Sequence, residues 1–185
     1  MEFTGSDALL NIPHILFLVS HRIDNHCHMA LIFSHMTTEG VMPQAEELFK
    51  TLGGATIFKR QVHSAEDVRA IIHKGFPYQS LEFVLSKFHL DLPRMSRILS
   101  VPPRTMARRK AEQRLTAQES DRLARVARIL TYATNVFGTE EKASTWLTRP
   151  HRILEGTAPI ELLDTDLGTQ AVEAMLGRLE HGVIG

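Results

Sequence analysis

Residues 91–110 read DLPRMSRILSVPPRTMARRK, and they are the most informative stretch of the chain. Asp91 can cap a short helix whose apolar residues follow at helical spacing. Pro102 disfavours the helical conformation at Val101, and Pro103 can occupy the first position of a new helix, where its missing N–H is not needed. The spacing therefore predicts two short helices joined by a tight turn, which is the pattern of a helix-turn-helix motif.

The second of these helices carries a dense group of basic side chains. In a helix-turn-helix the second helix enters the major groove, and its N-terminal residues face the base edges. Arg104 and Arg108 are four residues apart and share a face, so both can reach guanine edges or flanking phosphates. The later cations would more naturally meet phosphates. The candidate DNA-binding residues are Arg104, Thr105, Arg108, Arg109, Lys110 and Arg114. The alternative is an ordinary helix with a solvated basic face.

The net charge of zero conceals an uneven distribution of charged residues. Residues 94–135 carry ten basic and three acidic side chains. By contrast, residues 1–93 carry seven basic and ten acidic side chains, and residues 136–185 carry four and eight. A basic segment between two acidic ones is typical of a surface that binds a polyanion, and nucleic acid is the first candidate.

Apolar residues at helical spacing recur from Ser64 onwards, and no segment shows the alternation of a strand. Ser64 can cap a helix, another follows over residues 81–88, and Thr139 can cap a later one. Residues 164–166, Asp-Thr-Asp, can open a last helix, and the two carboxylates are interpreted as N-caps rather than as a catalytic pair. The fold class is therefore predicted to be all-α.

The longest predicted helix lies around residues 120–136 and stops at Gly138. Its apolar residues cluster on one side, and Arg122, Arg125 and Arg128 lie on the other. These three arginines could extend a phosphate-binding surface, or they could form an ordinary solvated face.

The first 42 residues show no sustained period, and they are predicted to be poorly structured, or a spurious leader that results from an early start codon. They contain a group of potential metal ligands: His21, His26, Cys27, His28 and His35. Their spacing fits no closed zinc site, so solvated or core histidines are the default interpretation. Cys27 is the only cysteine and lies in no nucleophile motif. No catalytic residue, metal or cofactor is predicted.

The leader also lacks the signals of a membrane or secreted protein. Its longest apolar run, residues 15–19, is far shorter than the roughly 18 residues that span a bilayer. No basic segment followed by an apolar core and a cleavage site opens the chain. We expect a cytoplasmic protein without a membrane partner.

Several short motifs occur in an order and at a spacing that match a known family. They are Gly75-Phe76-Pro77, the run Arg104–Lys110, Glu119–Leu123, Val136-Phe137-Gly138, Lys142-Ala143, Trp146-Leu147, Leu162–Thr165 and Arg178–Gly182. Over about residues 45–185 the chain resembles the Xre-MbcA-ParS type antitoxins. It departs from the family pattern at residues 100–102, Ser-Val-Pro, where the family often has a glycine and a serine-type residue.

The resemblance implies two domains. An Xre-like helix-turn-helix domain over residues 43–118 would bind the operator of its own operon, and a small helical domain over residues 119–185 would bind a toxin and dimerise. The implied toxin has a RES domain, and it consumes NAD or uses it to modify a target protein. The C-terminal segment would block its active site, which by position assigns toxin binding to Arg178, Glu180, His181 and Gly182. Trp146 is interpreted as a core residue, with a partner-facing hot spot as the alternative.

These inferences lead to the hypothesis of a non-enzymatic antitoxin that represses its own operon and forms a homodimer or a higher complex with its toxin. The first alternative is a stand-alone helix-turn-helix transcription regulator without a toxin partner. The second is a small metalloenzyme built on the leader histidines.

Overall fold

The structure is a computed structural model that describes residues 38–182, and most of this part of the chain is helical. In chain order the elements are α1 (Thr38–Thr51), α2 (Gly54–Phe58), α3 (Ala65–Lys74), α4 (Tyr78–Lys87), α5 (Leu92–Ile98), α6 (Pro103–Glu112), α7 (Ala117–Phe137), α8 (Glu140–Thr148), two 3₁₀ turns (Arg152–Leu154 and Pro159–Asp164) and α9 (Asp166–Glu180). The prediction of an all-α fold is confirmed. Helix α1 begins five residues before residue 43, and neither α1 nor α2 was predicted from the sequence.

The helix starts show which local signals the sequence contains. The side chains of Ser64, Asp91 and Thr139 accept hydrogen bonds from the backbone N–H three residues on, at 3.1, 2.7 and 3.3 Å, so these three predicted caps are confirmed. The cap of α9 was interpreted wrongly. Thr165, rather than either neighbouring aspartate, accepts the N–H of Gly168 at 3.1 Å. Asp166 instead lies in the first turn, where its charge complements the helix dipole.

Helix α7 is the central element. It begins three residues earlier than predicted because Thr116 and Glu119 form a reciprocal capping box. It ends at Gly138, whose φ of +83° is a left-handed conformation that glycine adopts without strain. Its inward-facing side chains are fully buried, namely Leu123, Val126, Ala127, Ile129, Leu130 and Ala133.

One hydrophobic core gathers around α7. Helices α1, α3, α8 and α9 all pack on it. The buried cluster runs from Phe49 in α1 through Leu81 in α4 to Leu147 in α8 and Leu176 in α9. A single helix therefore contributes to the core of both predicted domains.

The start of α4 and the end of α6 are tied together by a short antiparallel contact between Pro77 and Arg114. The Leu115 N–H donates to the Phe76 carbonyl at 2.9 Å, and the Tyr78 N–H donates to the Gln113 carbonyl at 3.0 Å. This contact fixes the far end of α6. Within residues 38–182, no helix is long and apolar enough to cross a membrane.

Candidate nucleic-acid and partner interfaces

Helices α5 and α6 form the predicted helix-turn-helix. The turn between them uses Ser100 at φ +52°, a left-handed conformation at which glycine would be unstrained. The Val101 N–H donates to the Ser96 carbonyl at 2.9 Å, and the Ser96 hydroxyl donates back to the Val101 carbonyl. Val101 itself is buried and anchors the turn in the core. The departure from the family pattern is thus accommodated by a strained serine and an apolar anchor.

Helix α6 presents a polar face to solvent. Its one buried side chain is Met106, while Arg104, Arg108 and Lys110 are exposed. Arg108 lies 3.8 Å from Glu112 on the same helix, and Lys110 lies 3.2 Å from Glu82 of α4. Because such exposed ion pairs contribute little to stability, these cations remain available to a phosphate or a base edge. The predicted residues Arg104, Thr105, Arg108 and Lys110 are therefore brought together on one accessible helix; we call Arg104, Thr105 and Arg108 the reading face.

Arg109 and Arg114 are placed differently. The Arg109 side chain is only 14% exposed; its Nε donates to the Glu119 carboxylate at 2.8 Å, and its Nη1 donates to Glu112 at 2.7 Å. The hydrogen bonds to these two carboxylates raise the pKa of Arg109 above its usual range. Arg114 donates to the carbonyl oxygens of Lys74 and Gly75 at 3.2 and 3.3 Å. Arg109 is therefore bound within the protein, whereas Arg114 is exposed and bonds through Nη1 alone.

The three arginines of α7 also bond inside the molecule. Arg122 donates to the Leu99 carbonyl at 2.7 Å, which satisfies the end of α5. Arg125 lies 3.3 Å from Asp121, and Arg128 lies 2.8 Å from Glu173 of α9. Arg125 also lies 4.0 Å from Asp166 of α9, so all three connect α7 to a neighbouring element, a role that neither interpretation from the sequence had included.

The C-terminal end of α9 presents the predicted toxin-binding residues. Val172 and Leu176 are buried against the core, and Arg178, Glu180, His181 and Gly182 are exposed near the end of the described chain. Glu180 accepts a hydrogen bond of 2.7 Å from the Tyr132 hydroxyl of α7. Burial, together with this bond and the negative charge of Glu180, raises the pKa of Tyr132 to about 12.

A groove of about 490 Å³ lies beside this contact. Its lining comes from three helices: Glu47 and Leu48 of α1, Arg128, Thr131, Tyr132 and Asn135 of α7, and Glu173 and Glu180 of α9. The Asn135 amide donates to Glu47 at 3.1 Å, across one edge of the groove. Sequence reasoning missed this groove because its residues lie as much as 133 positions apart along the chain.

Apolar side chains are also exposed in the C-terminal part. Ile153 and Leu167 are 76% and 79% exposed. Trp146 is half-buried, packs against the core and lies on Phe137, with ring centroids 5.4 Å apart. It also lines a shallow groove with His151.

The described residues contain no cluster of three or more His, Cys, Asp or Glu side chains that could hold a metal ion. The candidate ligands His21, His26, Cys27, His28 and His35 lie outside these residues.

The model of the antitoxin Xre-like helix-turn-helix domain matches residues 67–128, and that of the antitoxin Xre/MbcA/ParS C-terminal toxin-binding domain matches residues 133–182. The chain is 30% identical over 143 residues to a protein named Antitoxin Xre from Photorhabdus laumondii, covering 76% of this chain and 93% of that protein. It is 37% identical over 106 residues to the Antitoxin Xre of Yersinia enterocolitica, covering 54% of this chain and 72% of that protein. A chain of the M. tuberculosis MbcT-MbcA toxin-antitoxin complex aligns at 27% identity and a TM-score of 0.43, over 58% of this chain and 96% of that chain.

Proposed function

Because the chain belongs to the Xre/MbcA/ParS antitoxin family, we propose that it neutralises a RES-domain toxin by covering the active site of that toxin, and that it represses its own operon. It is an antitoxin of a toxin-antitoxin system, with a helix-turn-helix domain followed by a toxin-binding domain. The proposal adds the class of toxin, the mode of inhibition and the autorepression. No bond is made or broken in this mechanism, which is steric and electrostatic.

DNA is read by the N-terminal part of α6. The reading face points to solvent while Met106 holds the helix on the core, which is the arrangement that places a recognition helix in the major groove. Arg104 and Arg108 bind guanine edges or the phosphates beside them, and Lys110 leaves Glu82 to bind a phosphate. Arg109, which the sequence also proposes as a phosphate contact, is bound to Glu119 and Glu112 instead, while the exposed Arg114 keeps the rest of its guanidinium group for a phosphate.

The toxin is bound by the C-terminal end of α9. The observation that carries this part of the proposal is the exposure of Arg178, Glu180, His181 and Gly182 at the edge of the matched toxin-binding domain. Residues 136–185 carry four basic and eight acidic side chains. A toxin that binds NAD must offer cations or backbone N–H groups to two phosphates, so an acidic domain complements the entrance to its site.

A homodimer accounts for the exposed apolar residues. Leu167 and Ile153 would lose their contact with water if a second protomer covered them. A two-fold dimer presents two recognition helices, so the operator is expected to be a near-palindrome with half-sites about one helical turn apart.

The decisive experiment pairs this chain with the product of the adjoining reading frame. We expect the purified proteins to form a stable complex, and cells that express the second protein to survive only when this chain is co-expressed. Binding to the upstream DNA of its own gene without any protection of cells would favour the stand-alone transcription regulator.

A further inference from the structure

The carboxylate of Glu119 is bound from two helices at once. Both of its oxygens accept from Arg109 Nε, at 2.8 and 3.0 Å, and Oε2 also accepts the Thr116 N–H at 2.8 Å. Its side chain is only 9% exposed. One buried carboxylate therefore closes the capping box of α7 and anchors α6 on it.

Arg109 is the only cation of α6 that is held in this way. Its neighbours Arg108 and Lys110 are 60% and 63% exposed, whereas Arg109 is 14% exposed and bonds to Glu112 as well as Glu119. Besides this ion pair, α6 is held by buried Met106, by the contact at Arg114 and by the exposed pair of Lys110 with Glu82, which contributes little. The ion pair therefore restrains the rotation of α6 about its axis, and that rotation sets where the reading face points.

We infer that Glu119 and Arg109 are positioning residues for DNA reading: they hold the recognition helix in register on α7, and Arg109 does not contact the DNA. The inference rests on the proposed DNA binding. It assigns to Arg109 a different role from that of its neighbour Lys110, although both are cations of the same helix.

The direction in which the loss of the Glu119 charge changes DNA affinity distinguishes a positioning role from a purely electrostatic one. Removing a carboxylate near a DNA-binding surface lowers repulsion and should strengthen binding to any DNA. If Glu119 positions α6, its replacement should instead weaken binding to the operator sequence, because Arg104 and Arg108 are then no longer directed at the base edges. Glu119→Gln keeps the size of the side chain and an oxygen that can accept the Thr116 N–H, so it preserves the cap.

The test compares Glu119→Gln and Arg109→Met with Lys110→Gln as the matched control on the same helix. Affinity is measured for the duplex directly upstream of the gene and for a scrambled duplex of equal length, over a range of salt concentrations. For the first two variants we expect the ratio of the two affinities to fall about tenfold, with the salt dependence of wild type. For Lys110→Gln we expect both affinities to fall equally and the salt slope to decrease by about one.

Three outcomes overturn the inference. One is that Arg109→Met behaves like Lys110→Gln, which would identify Arg109 as a phosphate contact. Another is that Glu119→Gln binds both duplexes as tightly as wild type or more tightly. The third is that neither variant changes the ratio. The helical signal in circular dichroism verifies that each variant is folded. If Arg109→Met does not fold, the result for Glu119→Gln decides the test. A wild-type chain that fails to distinguish the two duplexes would refute the proposed operator binding itself, and the inference with it.

Discussion

Replacing Gly75 by alanine tests how the recognition helix is held in place. Gly75 has φ +87° and ψ 136°, a conformation that glycine adopts almost exclusively. A Cβ there would lie 2.3 Å from the carbonyl oxygen of Leu115, which is backbone and cannot simply rotate away. Gly138→Ala is the matched control. That glycine also has a positive φ, +83°, but beyond its own chain neighbours no described atom lies within 4 Å of its Cβ position.

The loss in the free energy of unfolding can be worked out for both variants from these contacts. The backbone strain at Gly75 is about 1–3 kcal/mol for alanine. Moving Leu115 aside breaks the two hydrogen bonds between the Phe76–Tyr78 segment and residues 113–115, each worth about 0.5–1.5 kcal/mol. The free energy of unfolding should therefore fall by about 4 kcal/mol for Gly75→Ala. For Gly138→Ala the left-handed conformation alone should cost about 1–2 kcal/mol.

Urea unfolding followed by circular dichroism measures both values. In thermal unfolding, the Tm should fall by roughly 10 °C for Gly75→Ala and by about half as much for Gly138→Ala. This follows from about 2–4 °C per kcal/mol for a domain of this size. Equal losses of stability in the two variants would mean that the contact with Leu115 imposes no cost. The antiparallel contact between Pro77 and Arg114 would then not be what holds the end of α6.

Four further outcomes are expected. Deleting residues 180–185 should abolish protection against the toxin while leaving operator binding and helical content nearly intact; rescue of toxin-expressing cells at equal abundance would locate inhibition elsewhere. Arg108→Ala should cost about 1–3 kcal/mol at the base pair it contacts, measured by operator binding with single base changes, and an unchanged base preference would contradict the assignment. Ser100→Gly should raise the free energy of unfolding by about 1 kcal/mol with unchanged operator affinity, because it relieves the left-handed strain. Since the pKa of Tyr132 is about 12 in the fold and about 10 in an unfolded chain, its contribution to stability should be complete below pH 10 and lost as the pH rises to 12. Glu180→Gln should lower that pKa, and absorbance titration of the phenolate would detect it; no change would show that Glu180 has no effect on the phenol.

Local signals in the sequence were sufficient for much of the fold. Ser64, Asp91 and Thr139 cap the helices that they were predicted to cap, because a cap depends only on residues three positions apart. The same is true of the proline-defined start of α6. Helix α1 lacks such signals and has a proline inside it. It is held by the burial of Phe49 against the core, which only the folded chain reveals.

The candidate site was less accessible to sequence reasoning. The sequence shows that Arg109 and Arg114 are basic and close to the reading face. It does not show that their partners, Glu119 and the carbonyl of Lys74, lie ten residues downstream and forty residues upstream in the chain. Whether a cation faces solvent or a buried carboxylate is a property of tertiary packing, and helical spacing alone cannot distinguish the two.

The single core around α7 has a consequence for how the protein is removed from a cell. Leu123 and Leu130 are fully buried in one cluster that contains residues from both halves of the chain, so the loss of α7 exposes core residues of both halves. A protease that unravels α7 from either end therefore destroys the DNA-binding surface and the toxin-binding surface in the same event. Under the proposed function, one such event would release the operator and the toxin together.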